Sequence, residues 1–348
     1  MDTRKIQTVG GGTYTVSLPK GWAETQDLEA GDTVTLHTHI DGLLVIQAAG
    51  GDDTAPERLV VSVDHDEPDP LDRMLRAAYA AGAKEATFEA TEAFTADQRR
   101  TLEAAARDLT GVSVAERSEA EITVRTLLDS EEVSVRQSIR QLEFVALEMH
   151  RDAVDALRGE GDPEGLADRD DQADRLHALI GRSFARGLAR LDEVDALGVT
   201  RPELFELWAT TRELERVADH AEALADLAAE TRRAVDDDRA EDVAALADTA
   251  RGAVAEAVSA VIGDDGVEAA RAALAARDQV CEEVATVEST FPADSRLRPA
   301  LRRISRTAEH GGNIAEFGLQ RAVRQGELTG PTQQSGTRDE GADLTAGE

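Results

Sequence analysis

Apolar and polar positions change rhythm twice along the chain. Over residues 3–47 they alternate in short bursts, at 5–9, 13–18, 33–36 and 43–46. Such bursts are the period of half-buried strands. Gly10, Gly11, Gly12 and the Gly31-Asp32 pair separate them, and residues 19–28 suit a helical turn. Residues 50–56, rich in Gly, Asp and Thr, read as a linker. Over 58–125 strand-like runs (58–63, 86–89, 112–114, 121–125) interleave with helical ones (70–81, 95–109), and Thr95 is placed to cap the second helix. From 131 onwards the period is helical almost to 325. Ile139, Leu142, Val145, Met149, Val154 and Leu157 mark the first long helix, and Ser130 is its expected cap.

The helical part is duplicated. Glu213-Leu-Glu-Arg-Val-Ala-Asp-His220 returns in altered form at Arg303-Ile-Ser-Arg-Thr-Ala-Glu-His310. Aligned on the histidines, Arg216 meets Arg306, Asp219 meets Glu309 and Asp226 meets Glu316, while Glu215 meets Ser305. Upstream of each copy a second echo pairs Asp170 and Asp174 with Asp278 and Glu282. Each repeat thus predicts three antiparallel helices. The first ends near 235, and the second runs over about 241–262, 267–290 and 294–324. Glu215 and Asp219 stand four apart, one turn apart on one helix face, where like charges repel. A cation, or an arginine from a neighbouring helix such as Arg216 or Arg306, would offset that repulsion. His220 and His310 each follow a candidate ligand, but the next position on a helix points about 100° away. They are expected to pack or to hydrogen bond between helices.

This duplicated acid pair with E-R-x-x-D-H resembles the PhoU family of phosphate-signalling proteins over roughly 131–325. The resemblance implies two similar three-helix bundles, at 131–238 and 239–325. It also implies metal ligands at Asp170, Asp174, Glu215 and Asp219 in the first bundle and at Asp278, Glu282 and Glu309 in the second. Iron, zinc, manganese or magnesium are the ions considered. Ser305 supplies a hydroxyl where a carboxylate is expected, which weakens the second set. The implied role is non-catalytic damping of phosphate uptake through contacts with a phosphate transporter or its signalling components.

At the front, G-x-Y-T-V-S-L-P-K-G-W-A followed by L-E-A-G-D-T-V-T-L resembles the AbrB/MazE/SpoVT swapped-hairpin domain over residues 1–50. That resemblance implies a homodimer and DNA contacts at Arg4, Lys5 and Lys20. A DNA-binding transcriptional regulator with the bundles as sensor is therefore the alternative function. Asp2, Glu24, Asp27, Glu29, Asp32 and Asp41 outnumber those three bases, so the basic footprint of a nucleic-acid binder is missing. Residues 57–128 read as a small α/β domain without a phosphate-binding glycine loop, nucleophile elbow or metal triplet.

Composition sharpens the picture. Acids outnumber bases 70 to 38, for a net charge of -32, and three of the bases are lysine. That acid-rich, lysine-poor balance resembles proteins of salt-loving archaea, whose molar salt shortens the Debye length to about 3 Å. The 41% hydrophobic content argues for folded domains. Residues 326–348 read instead as a disordered acidic tail. The single cysteine, Cys281, allows no intramolecular disulfide. No apolar run is long enough for a membrane span and no signal-peptide core is present, so a cytoplasmic protein is expected. Carboxylate-rich bundles can also build di-iron oxidases, but the Glu-x-x-His pairs of that class are missing from these helices.

Overall fold

The computed structural model describes residues 3–10, 12–48, 57–63, 71–160, 165–231, 237–263, 266–290 and 297–328. The expected linker at 50–56, and the expected tail beyond 328, lie outside them. The chain divides into two compact units, Met1–Val135 with Ala178–Trp208, and Arg136–His177 with Ala209–Glu348.

The first unit opens with β1 (Gln7–Val9) and β2 (Thr13–Thr15), an antiparallel pair, then α1 (Lys20–Thr25) and a second antiparallel pair, β3 (Val34–Thr38) with β4 (Leu44–Ala48). Gly10 and Gly42 take positive φ at the two hairpin turns, a conformation that strains any side chain with a Cβ. Strands this short enclose little, and Ile6, Tyr14, Leu36 and Leu44 are exposed.

The α/β part follows: β5 (Arg58–Val63), α2 (Leu71–Ala80), β6 (Glu85–Ala90), α3 (Ala96–Arg107), β7 (Val112–Arg117) and β8 (Glu121–Thr126). The sheet order is β5-β6-β8-β7, with β5 and β6 parallel across the α2 crossover and the other pairs antiparallel. Leu71, Leu75, Tyr79, Phe88, Leu102, Ile122 and Val124 form its core. Thr95 caps α3 as expected and closes a reciprocal capping box with Gln98.

Ser130 does not cap the first long helix. It lies in a short turn, Ser130–Glu132, and its hydroxyl donates to Glu193, a buried carboxylate that also takes Arg186. The helix itself, α4, spans Val135–Leu157. Then come α5 (Leu166–Ala189), α6 (Leu191–Ala196), α7 (Arg201–Thr231), α8 (Asp237–Ile262), α9 (Gly266–Thr290) and α10 (Leu297–Gln325). Helix α6 adds a short element to the three helices expected of the first repeat. Val194 of α6 is fully buried, and Asp195 holds His39 of the front hairpin.

The first hairpin is the longer of the two. The segment Ala178–Trp208, from within α5 to the early part of α7, belongs to the first unit. There Arg182 and Arg186 donate to the carbonyls of Tyr79, Ala83 and Gly82 at the end of α2. Cations at a helix C-terminus satisfy orphan carbonyls and complement the dipole. Arg182 also covers the Tyr79 ring at 4.9 Å, and Phe184 stacks on Trp208 with ring centroids 5.5 Å apart.

In the second unit α8, α9 and α10 pack mutually as a three-helix bundle. Ala247, Ala250, Ala253, Val254, Ala257 and Val258 line the buried face of α8. Small residues let α10 come close: a Cβ on Gly318 would stand 2.7 Å from the Cβ of Ala260, and one on Gly311 3.0 Å from the backbone of Ala253 and Val254. On α7, Leu214, Val217, Ala218, Ala221 and Leu224 are all buried and form one apolar stripe.

Candidate functional site

The acid pair of α5 and the acid pair of α7 act on one another in the second unit. Asp170 is pushed up to about 6, first by burial and then by Glu222, Asp174, Asp219 and Asp171. The Glu215 carboxyl is raised by burial, by Asp219 and by Asp174 of the other helix, against the opposing pull of Arg216 and Arg212. Desolvation and like charge both disfavour the ionised form. These four positions therefore share one electrostatic neighbourhood, as the repeat implies. Glu222, three residues after Asp219, joins them, and the sequence offers no second copy that would single it out.

Arg216 lies between the two acids of its own helix, 3.2 Å from Asp219 and 3.7 Å from Glu215. Arg306 likewise meets Glu309 on its own helix. These contacts correct the expectation that the arginines reach a neighbouring helix: the three-residue spacings to Asp219 and Glu309 already bring each guanidinium within range. His177 of α5 adds an imidazole, its Nδ1 3.9 Å from Glu215, and burial followed by Arg212 holds its pKa below the usual value. Oxygen donors with a neighbouring neutral imidazole suit a hard or borderline cation. Among the described residues no three His, Cys, Asp or Glu side chains stand close enough to grip one ion.

The second bundle is chemically different. Asp278 is mostly exposed and pairs with Arg277 at 2.7 Å. Glu282 is exposed. Ser305, opposite in the repeat to Glu215, lies 3.7 Å from the thiol of Cys281. Of the bases assigned to DNA, Lys20 is exposed and pairs with Glu24 at 3.4 Å. Both Arg4 and Lys5 are exposed.

A second polar cluster joins α7 to α10. Nε2 of His220 and Nε2 of His310 are 3.3 Å apart. Nδ1 of His310 is 2.7 Å from Glu213, and Arg303 donates to Nδ1 of His220 at 3.3 Å. Glu213 and Arg303 each stand seven residues before their own histidine. Each copy thus reaches the histidine of the other, the reciprocity of an interface between like surfaces. Alongside, Arg251 of α8 donates to Nδ1 of the fully buried His150 of α4 at 3.2 Å. Burial lowers His220 to about 4, helped by His310, Arg303, Arg306 and Arg216. It lowers His150 to about 3, helped by Arg251 and His220. Both imidazoles are neutral at neutral pH. Arg251 and His150 carry no repeat-based signal in the sequence, and Glu213 matches Arg303 with opposite charge, so the partners of all three, about a hundred residues away, are not legible from the chain.

Residues 139–228, which carry both acid pairs of the first bundle, match the family model of the PhoU domain. Residues 7–53 match that of the antidote-toxin recognition protein MazE, a bacterial antitoxin. Both matches fall on non-enzymatic regulatory families. Set against curated proteins, the chain matches none. The chain therefore has a front segment similar to the MazE antitoxin model, a small α/β part, and a helical region that over 139–228 is similar to the PhoU domain.

Proposed function

We propose that this protein is a non-catalytic regulator of phosphate uptake that acts by protein contacts on phosphate transport and its signalling, with a metal cation held between α5 and α7. What supports this reading is that the acids of α5 and α7 raise one another's pKa inside the segment that matches the PhoU domain. A cation there would relieve the repulsion that raises Asp170 and Glu215, and would tie the two helices together. Iron, zinc, manganese and magnesium all suit carboxylate oxygens beside an imidazole. The second bundle, with Asp278, Glu282 and Glu309, takes the weaker site, because Asp278 and Glu282 are exposed and Ser305 stands where Glu215 stands in the first. No helix among the described residues is long and apolar enough to cross a membrane.

The match at 7–53 supports a second reading in which the front domain, as a homodimer, contacts DNA through Arg4, Lys5 and Lys20 while the bundles sense a ligand. The exposed Ile6, Tyr14, Leu36 and Leu44 fit burial against a second copy. Phosphate uptake and promoter occupancy measured in cells at native salt separate the two readings. Under the first, deleting residues 1–50 leaves control of uptake partly intact, while combining Asp174→Asn with Asp219→Asn abolishes it. Loss of promoter occupancy on that deletion, with uptake following it, would favour the second.

A further inference from the structure

The contact between the two histidines has the dimensions of a metal site distinct from the acidic cluster. An imidazole nitrogen binds zinc at about 2.0–2.1 Å, and two such bonds at a tetrahedral angle set their nitrogens about 3.3 Å apart. Nε2 of His220 and Nε2 of His310 are 3.3 Å apart, with ring centroids 5.2 Å apart. His310 already carries the support of a ligating histidine. Its Nδ1 faces Glu213 at 2.7 Å, and Asn313 steadies the same carboxylate at 2.9 Å. A carboxylate behind Nδ1 fixes the proton there and leaves the Nε2 lone pair free for an ion. On the other side, Arg303 donates to Nδ1 of His220, so that in the metal-free protein the proton of His220 sits on Nε2 and points at His310.

We propose that His220 and His310 together form a two-nitrogen site for a borderline divalent transition metal, of the zinc, nickel or copper class, where the two repeats meet. The ion takes the place of the hydrogen between the rings. The proton on Nε2 of His220 moves to Nδ1, so both imidazoles stay neutral and none is lost to solvent. Arg303, an exposed side chain, must then turn away, because a protonated Nδ1 cannot accept its hydrogen bond. Among the described residues no third ligand is in place, so water completes the coordination. His220 is only partly buried, which leaves a side open to solvent. This proposal does not depend on the cation between α5 and α7.

The test titrates the full chain with Co(II) and follows its visible absorption, which reports the coordination of the ion, with the histidine variants assigning the ligands. The expected result is a signal that survives the Asp174→Asn, Asp219→Asn double variant and disappears in His220→Asn and in His310→Asn. Glu213→Gln should weaken binding roughly tenfold or more, as loss of a carboxylate behind a ligating histidine does. Arg303→Gln should tighten it, since the competing hydrogen bond and charge are gone. Those two variants keep the question answerable should either histidine variant fail to fold. Absence of a signal, its persistence without the histidines, its loss with the acid pair alone, or weaker binding in Arg303→Gln would each overturn the proposal.

Discussion

Glu143 on α4 shows how a single half-buried acid sets a pH dependence. Burial pushes its carboxyl up to about 7, and Arg140 one turn earlier only partly opposes the shift. The folded state thus holds this proton more tightly than the unfolded chain, whose carboxyl titrates at 4.5. Its contribution is complete below the unfolded value and is lost as pH rises through the folded one. Glu143→Gln cannot ionise. Its unfolding midpoint should exceed that of the parent at pH 8 and nearly equal it at pH 5, read by thermal melts at constant salt. An offset equal at both pH values would contradict this. Asp170 obeys the same sign, with acidic neighbours adding to burial. Its spacing to Asp174 is plain in the sequence, whereas the Glu143 environment is not, since neither composition nor period reports how deeply one charged position is buried.

At the scale of elements, α8 and α10 are held together by what their small residues leave out. Gly318 and Gly252 are both helical glycines, and propensity alone favours alanine at each by about 1 kcal/mol. Their surroundings differ. A Cβ at Gly318 would lie 2.7 Å from Ala260 Cβ and 3.2 Å from its backbone, while at Gly252 nothing lies within 4 Å. Backbone cannot yield as a flexible side chain can, so Gly318→Ala should cost about 1–3 kcal/mol. Gly252→Ala should instead stabilise by about 0.4–1 kcal/mol. Denaturant unfolding of the two variants checks both signs, and equal effects would show that the close approach of α8 and α10 carries no weight. The long helices were legible because their apolar period persists over many turns. Six-residue α6 was not, because Leu191–Ala196 is too short for a period and forms around the buried Val194 and the Glu193–Arg186 pair. Ser130 misled for a similar reason: a serine before a helix fits a cap, but a buried carboxylate claims its hydroxyl.

Across the whole molecule, duplication made the acidic site readable and hid the histidine cluster. Asp170, Asp174 and Asp219 each keep an acid at the matching place of the second copy, where Glu215 meets Ser305, so the chain alone draws attention to these positions. Glu213 and Arg303 occupy matching places too, but with opposite charge, and their meaning emerges only when each is seen to touch the other copy's histidine. Charge at the scale of the chain, -32 in all, makes cation binding easy to observe and easy to misread, because any acidic surface condenses counterions. Only site-specific loss is informative. The most direct measurement is therefore the metal content of protein purified from its native cells and exchanged into metal-free buffer, parent against the Asp174→Asn, Asp219→Asn variant. A bound ion between α5 and α7 predicts stoichiometric metal in the parent and its loss in the variant; equal content in both would contradict it.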